Sequence, residues 1–265
     1  MKVTNLTKLL MLACVCCLSF VAAFAQDTQK TLQKPYQKWS DAEATKIISN
    51  PPWADQYQSE GGLASVAQQT QAREQSDTNL GGRNRGSGSR NLTVSPITIR
   101  LHSALPVRQA IVRLQQLQVG YDKMSEADRN KFDESRKVFL NCPACQNYYV
   151  VTLTKWKDST PGAVDDGIFQ TMNFEDFIGK VWLANEKNER REVMMFTPPK
   201  GAGESAWFFF KRNDDKGVPL LTPDSKELKF VFDNKLLDNN RYSGLLPRAF
   251  EFKVAKLMFN NKIEF

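Results

Sequence analysis

Two cysteines spaced three residues apart, Cys142 and Cys145, are the most specific chemical feature of the sequence. In thiol–disulfide oxidoreductases a CxxC pair opens a helix, and the positive end of the helix dipole stabilises the attacking thiolate. Here the periodicity predicts a helix that ends before Cys142 and a strand that begins soon after Cys145. This order favours a structural disulfide that joins the helix to the strand, with a thiol–disulfide redox protein as the alternative.

Metal or cofactor binding is not expected at this cysteine pair. A zinc site needs about four ligands, usually as two half-sites, whereas the chain supplies one half-site and a single histidine, His102. Gln146 follows the second cysteine, where covalent haem attachment needs a histidine. We therefore expect neither a metal nor a cofactor.

His102 also restricts hydrolytic chemistry, because a Ser–His–acid or Cys–His site would have to use this one imidazole. The residue follows Leu101 on the polar side of a predicted strand, and we expect its ring to face solvent or to lie at an edge. The sequence contains no nucleophile elbow, P-loop or dinucleotide fingerprint. No catalytic residue is predicted, which favours a protein that is not an enzyme.

Two acidic pairs, Asp165-Asp166 and Asp214-Asp215, each stand close to a glycine. Aspartate and glycine both favour turns for backbone reasons, and a calcium loop needs about six or more oxygens at a defined spacing. We interpret both pairs as turns. Carboxylates that meet only in the folded chain would suit glycan hydrolysis, so a carbohydrate-active hydrolase with unidentified carboxylates is a further alternative.

The first 25 residues have the three parts of a cleavable secretory signal peptide. Lys2 and Lys8 form a basic start without acids, residues 9–24 are apolar, and a small-x-small pattern ends this core. A spanning helix needs about 20 apolar residues, more than the core provides. We expect export to the periplasm or to the outside of the cell, with association with the outer membrane as an option.

Cleavage after Ala25 changes the chemistry of the mature chain. Three of the five cysteines leave with the signal, and the pair that remains suits a disulfide in an oxidising compartment. Loss of Lys2 and Lys8 lowers the formal net charge from +7 to +5. An uncleaved anchor and a lipoprotein cut before Cys14 are the alternatives, and no later stretch is apolar enough to span a membrane.

Residues 26–58 form a predicted N-terminal helical segment. Ser40 and Glu43 have the spacing of a capping box, in which each side chain satisfies a free backbone N–H at a helix start. Consecutive prolines then end the helix, because proline lacks the N–H that a helix requires. Trp39 and Trp53 flank this helix, and they have two interpretations: a binding site for a partner protein, or a clamp on the same chain.

A flexible linker is predicted over residues 59–95, which are rich in Gln, Ser, Gly, Asn and Arg and almost empty of aromatic and β-branched residues. Such a composition cannot bury enough apolar surface to offset the entropy of ordering. The run from Gly81 to Arg90 is similar to an arginine–glycine nucleic-acid tail, but in an exported chain we interpret it as a spacer. No specific nucleic-acid partner is expected.

One α+β globular domain is predicted over residues 96–265, mainly an antiparallel β-sandwich-like sheet with a helical pair near its start. Residues 97–101 alternate as a half-buried strand, and two helices follow. Phe132, Val138 and Phe139 are the expected buried positions of the second helix. The later predicted strands lie near residues 148–154, 180–183, 192–196, 207–210, 228–232 and 250–254, with a hairpin turn at Asn260-Asn261.

The layout resembles that of uncharacterised exported bacterial proteins. The resemblance is carried by residues 36–57, a Trp-containing helix that ends in Asn-Pro-Pro-Trp-Ala at positions 50–54, and by the closing segment 250–265. It implies a signal, a linker and a sheet domain, and it implies no activity.

The sequence therefore predicts an exported non-enzymatic protein, a binding or structural module of the cell envelope. Its expected partner is a protein or another envelope component. The oligomeric state is left open. A thiol–disulfide redox protein and a carbohydrate-active hydrolase are the two alternatives.

Overall fold

The computed structural model describes residues 28, 30–57, 96–155, 169–201, 203–238, 246–259 and 262–265. The predictions on the signal peptide, on the linker 59–95, on Asp165-Asp166 and on the Asn260-Asn261 turn lie outside these residues. Within the described ranges, no helix has the length and apolar character needed to cross a membrane.

Four α-helices have both ends within the described residues. Each begins where side chains satisfy the free N–H groups of the first turn, or where a proline has no N–H that needs a partner. The Ser40 hydroxyl accepts from Glu43 N, and the Glu43 carboxylate accepts from Ser40 N, so the predicted capping box is confirmed. Ser125 likewise accepts from Asp128 N. The helices are α1 (Asp41–Ser49), α2 (Leu105–Gln118), α3 (Glu126–Asn141) and α4 (Asn234–Leu237).

The strands follow the predicted period-two segments closely. Residues 97–101 and 148–155 are strands, as the alternation indicates, and the apolar run 207–210 lies in the strand 205–211. The ten strands of the described residues are β1 (Ala54–Tyr57), β2 (Ile97–Leu101), β3 (Tyr148–Lys155), β4 (Val181–Asn185), β5 (Arg190–Thr197), β6 (Ser205–Lys211), β7 (Glu227–Phe232), β8 (Ala249–Lys253), β9 (Met258–Phe259) and β10 (Lys262–Ile263).

Eight of these strands form one antiparallel sheet in the order β1-β2-β3-β6-β5-β4-β7-β8, and β9 pairs with β10 in a small second sheet. In the large sheet β6 and β7 are separated by two strands, a span of about 14 Å in a flat sheet at roughly 4.8 Å per strand. The rings of Phe208 on β6 and Phe230 on β7 nevertheless lie 5.4 Å apart. The sheet is therefore strongly curled, almost into a barrel.

The fold class is α+β with a large antiparallel sheet, while the predicted sandwich is not confirmed. Every neighbouring pair in the strand order is hydrogen-bonded, so the eight strands are one continuous sheet. Turn spacing along a sequence indicates many short strands, but it does not distinguish two facing sheets from one sheet that curls onto itself.

The concave inner face of the sheet holds the hydrophobic core. Phe208 contacts Phe177, Phe196 and Phe230, and its ring centroid lies 5.1, 5.0 and 5.4 Å from theirs, respectively. Most of these pairs are edge-to-face, the arrangement that aromatic quadrupoles favour. The aromatic cluster explains why the sheet curls, because curling brings these rings together and removes them from water.

The outer face of the same sheet is divided into two parts. Over β2 and β3 it is a covered half, where Thr98, Arg100, Thr152 and Thr154 are all buried. Over β6 and β5 it is an open half, where side chains on the same face keep partial exposure. The register places Thr152 directly opposite Trp207, so the boundary between the two halves runs between β3 and β6.

The N-terminal segment belongs to the covered half. Strand β1 pairs with β2 along its four residues, and Arg100 Nε donates to the carbonyl of Ile48 at the end of α1, 2.6 Å away. From α2, Arg113 Nε donates to the carbonyl of Trp39 at 2.8 Å. The segment thus completes the cover of the sheet and adds its edge strand.

One predicted core position is wrong. Val138 on α3 is 72% exposed, whereas Phe132 and Phe139 are half-buried. Helix α3 buries no residue fully, and it rests on the rest of the fold through one narrow face. Val138 stands next to Phe139 in the sequence but about 100° further round the helix, so it points away from that face.

Candidate functional site

The disulfide corner lies between α3 and β3 and consists of Cys142, Cys145, Arg108 and Arg212. Helix α3 ends at Asn141, and Cys142 caps it with φ 44° in the left-handed region. A short 3-10 turn, Pro143–Gln146, then leads into β3. The Sγ atoms of the two cysteines lie 1.96 Å apart, at disulfide bonding distance. The predicted order of helix, cysteine pair and strand is therefore confirmed.

The two sulfurs are in different environments. Cys145 is 7% exposed, whereas Cys142 is half-buried and is followed by the exposed residues Pro143 and Ala144. Cys142 also lies at the C-terminal end of α3, where free carbonyl groups make the local potential negative. The accessible sulfur is thus at the helix end that disfavours an anion.

Arg108 on the first turns of α2 points under the disulfide. Its Nε donates to the carbonyl of Leu140 at 2.9 Å, and its Nη1 donates to the carbonyls of His102, at 3.2 Å, and of Ser103. The same Nη1 lies 3.6 Å from Cys145 Sγ. The guanidinium therefore satisfies a free carbonyl of the last turn of α3 and contacts the buried sulfur.

Arg108 keeps its positive charge in this position. Burial lowers the pKa of Arg108 to about 10, with Glu264 acting to raise it and Arg212 acting to lower it. A guanidinium with that pKa is protonated at neutral pH. Two unit charges of opposite sign about 4 Å apart near a protein surface attract by about 4 kcal/mol, so Arg108 would offset the cost of burying an anion at Cys145 Sγ.

Arg212, directly after β6, fixes the other side of the corner. Its Nε donates to the carbonyl of Cys145 at 2.7 Å, and its Nη1 donates to the main-chain oxygen of Phe265 at 2.6 Å. The guanidinium lies over the ring of Tyr149, 4.4 Å from its centroid, and that ring stacks on Phe265. Burial lowers the pKa of Arg212. The short turn is therefore held in place by long-range contacts.

His102 corrects the expectation of a solvent-facing ring. The imidazole is 4% exposed and lies between Trp207 and Phe139, with ring centroids 4.4 and 5.3 Å away. Burial, and then the charges of Arg108 and Arg100, lower the pKa of His102 to about 3. An imidazole with that pKa is a weak base at neutral pH. The alternation of apolar and polar residues along β2 correctly places His102 on the same face of the sheet as Arg100. Helices cover that face, so the ring is buried.

A buried polar layer lies under the covered half, with Arg100 at its centre. Arg100 Nη1 donates to Thr154 Oγ1 at 2.7 Å, and that hydroxyl is 2.6 Å from Ser205 Oγ. Burial lowers the pKa of Arg100 to about 10. The layer attaches α1 to the sheet through the bond from Arg100 to the carbonyl of Ile48.

The open half carries a group of apolar side chains at the surface. Met194 and Met195 are 42% and 43% exposed, because the register shift between Val193 and Met195 adds an extra residue to β5. Met195 lies opposite Phe209, and the Phe209 ring lies 6.3 Å from that of Tyr148. We call Tyr148, Met194, Met195, Trp207 and Phe209 the apolar surface.

The two tryptophans singled out as possible partner-binding residues lie inside the fold. Trp39 and Trp53 are 1% and 0% exposed and belong to the hydrophobic core. Trp39 Nε1 donates to the carbonyl of Lys34 at 3.2 Å, and the carbonyl of Trp53 accepts from Leu101 N at 2.8 Å. Their surroundings are those of the second interpretation, a clamp on the same chain.

Asp214, from the second acidic pair, takes a structural position in a turn. Asp214 Oδ1 accepts from the backbone N–H groups of Lys216 and Val218, at 2.9 and 2.8 Å, which is the turn role that the sequence indicates. Among the residues that the structure describes, no three His, Cys, Asp or Glu side chains are grouped so that they could hold a metal ion.

Sequence reasoning missed Arg108, Arg212 and the apolar surface. Arg108 occurs within a helix whose apolar spacing marks Val107 and Ile111, and an arginine beside such positions normally faces solvent. Its contact with Cys145 spans 37 residues. Strand β6 contains four consecutive apolar residues, 207–210, and such a run does not indicate which face of a strand is exposed.

No protein-family model matches the chain, and the searches of curated proteins and of solved structures return no match either.

Proposed function

We propose that this chain is an exported, non-enzymatic binding module of the cell envelope, which holds an apolar segment of a partner protein on its apolar surface. The observation that carries the proposal is the grouping of five large apolar side chains on adjacent strands, with two methionines more than 40% exposed. Grouped apolar side chains at a protein surface mark interaction sites, whereas single ones need no explanation.

The composition of the apolar surface supports a protein partner. Aromatic residues and methionine are enriched at the centres of protein interfaces, and flexible methionine side chains adapt to different apolar partners. Charged pairs lie close by: Lys211 contacts Asp215 at 3.1 Å, and Arg190 contacts Glu192 at 3.0 Å. An apolar centre with a charged border is the usual anatomy of an interface.

Export is part of the proposal and is supported by the signal-like residues 1–25 and by the disulfide. The protein recovered from outside the inner membrane is expected to begin at residue 26, as N-terminal sequencing would show. A protein that begins at Met1 would contradict cleavage, and recovery from the cytoplasm alone would contradict export.

Site-specific photo-crosslinking tests the binding surface. A photoreactive amino acid at Met195 is expected to give a discrete crosslinked product with a partner protein in the producing cells. The matched control is Val138, which is apolar and more exposed but lies on α3 outside the apolar surface. Equal crosslinking at the two positions, or none at Met195, would overturn the proposal.

The non-enzymatic part has its own test. The purified mature protein is expected to leave a broad panel of ester, peptide, phosphate and glycoside substrates unchanged. Turnover that is lost in a point variant would refute it, and glycoside turnover would select the carbohydrate-active alternative. The thiol-redox alternative is supported by a separate observation, the contact between Arg108 Nη1 and Cys145 Sγ at 3.6 Å.

A further inference from the structure

Arg108 is a buried cation whose hydrogen bonds go to neutral groups. Within the described residues it donates to three main-chain carbonyls and contacts Cys145 Sγ, and it forms no ion pair with a carboxylate. Arg113, equally buried on the same helix, instead makes a bidentate pair with Asp122 at 3.0 and 3.2 Å. Buried charges are normally paired, so the disulfide sulfur occupies the place of the missing anion.

Reduction of the disulfide would supply that anion. A thiolate at Cys145 would lie 3.6 Å from Arg108 Nη1 in a buried environment, where charge pairs are little screened. The other charged groups at the corner are Arg212, which binds the carbonyl of Cys145, and Glu264, which acts on both arginines. His102 is neutral. Arg108 is the charged group that contacts the sulfur, so it favours the thiolate.

The two sulfurs also differ in how accessible they are to another thiol. Cys142 is the more exposed sulfur, and an incoming thiolate reaches it from the side of Pro143 and Ala144. In thiol–disulfide exchange the sulfur that is not attacked leaves as a thiolate, and a stabilised leaving group accelerates the reaction. Access and leaving-group stabilisation therefore select the same direction of cleavage.

We propose that Cys142–Cys145 is an exchange-active disulfide that oxidises the dithiol of another protein, with Cys142 as the attacked sulfur and Cys145 as a leaving group stabilised by Arg108. This redox activity goes beyond the proposed binding function, and it replaces the non-enzymatic part of that proposal. The arrangement differs from enzymes that place the first cysteine at a helix N-terminus. Here an arginine side chain replaces the helix dipole, and it acts on the second cysteine.

The reaction balances in two steps. A thiolate of the partner attacks Cys142 Sγ, the Cys142–Cys145 bond breaks, and its electron pair goes to Cys145 Sγ beside Arg108. The second thiolate of the partner then attacks the partner sulfur of the mixed disulfide and releases Cys142, which takes up a proton. The partner dithiol loses two electrons and becomes a disulfide, while the protein gains two electrons and becomes a dithiol.

Equilibration with glutathione tests the role of Arg108. Arg108→Gln is expected to raise the equilibrium constant for disulfide formation by about tenfold or more, because the reduced form loses its ion pair. Arg108→Lys should retain most of the effect. Arg113→Gln is the matched control, since it removes an equally buried arginine of α2 that does not contact the sulfur, and it is expected to change the constant less than about twofold.

Equal shifts in the Arg108→Gln and Arg113→Gln proteins, or no shift in the first, would overturn the proposal. Single-cysteine variants provide an independent test if Arg108→Gln does not fold. In Cys142→Ser the remaining thiol is expected to ionise well below the ordinary value of about 8.5, and in Cys145→Ser at or above it. The ultraviolet absorbance of the thiolate reports both, and the reverse order, or ordinary values in both, would refute the mechanism.

Discussion

The covered and open halves of the outer face have opposite chemistry. In the covered half, polar side chains such as Thr98 and Arg100 are buried beneath helices, whereas in the open half large apolar side chains remain at the surface. Trp207 and Thr152 face each other across the boundary, on the same side of the sheet. The difference teaches that polarity alone does not determine burial here, because the helices decide which part of the face is covered.

Each half has a distinct role under this interpretation. Among the buried polar side chains of the covered half, Arg100 bonds to a particular atom of the covering segment, the carbonyl of Ile48. Such bonds fix how the cover docks, because a buried polar group left without its partner is costly. The apolar side chains of the open half are left for a partner. Stability should therefore depend on the covered half, and binding on the open half.

The largest expected effect is in the covered half. Trp53→Ala removes a fully buried ring from the segment that covers the sheet and is expected to reduce the free energy of unfolding by about 3 to 5 kcal/mol. Urea denaturation followed by circular dichroism measures the loss. A loss below about 1 kcal/mol would show that the N-terminal segment contributes little to the fold.

The pH dependence of stability tests the burial of His102. Its pKa is lowered to about 3, so the unfolded chain takes up a proton below pH about 6.5 while the folded chain stays neutral. Stability should fall as the pH drops through this window, by about 2 kcal/mol at pH about 5 for this group. Other groups titrate in the same window, so the free energy of unfolding is measured against pH for the wild type and for His102→Phe. The variant should lack the part of the decrease that is due to His102.

The capping box of α1 gives a smaller effect with a different pH signature. Hydrogen bonds from Lys34 and then from Ser40 N lower the pKa of Glu43 to about 2. A lowered carboxyl pKa stabilises the fold above the unfolded value near 4.5 and loses this contribution as the pH falls towards 2. Glu43→Gln should cost about 0.5 to 1.5 kcal/mol at neutral pH, and thermal denaturation should show the difference from wild type vanish in acid.

The smallest effect on stability is expected in the open half. Met195→Lys replaces an exposed side chain and should change the free energy of unfolding by less than about 0.5 kcal/mol. The same variant should abolish the crosslinked product formed from a photoreactive residue at the neighbouring Met194. If the Met195→Lys protein is stable and still forms the crosslinked product, the apolar surface is not the binding site. The covered and open halves would then not divide stability and binding between them.

Local features of this fold could be predicted because local physics determines them. The capping box of α1, the proline stop after that helix, the turn at Asp214 and the period-two strands all depend on residues that are close together in the sequence. Alternation also assigned the faces of β2 correctly, with Ile97, Ile99 and Leu101 on one side. The burial of both faces is a tertiary property, and it could not be predicted from β2 alone.

The contacts of the disulfide corner illustrate the same limit. The cysteine spacing predicted the bond, and the flanking periodicity predicted the helix and strand around it. The partners of Cys145 are Arg108 and Arg212, which lie 37 and 67 residues away. Their positions at the corner depend on how α2 packs against the sheet and on the order of the strands in the sheet. Neither can be predicted from a local sequence pattern.

The pairing of β1 with β2 has a consequence for chain entropy. Tyr57 and Ile97 are partners in the register, so forming this edge closes a loop of about 40 residues. The cost of closing a flexible loop grows only with the logarithm of its length, by about 0.6 kcal/mol per doubling. Halving or doubling the connection should therefore change stability little, while β1 has no strand to pair with until the chain has been synthesised past residue 101.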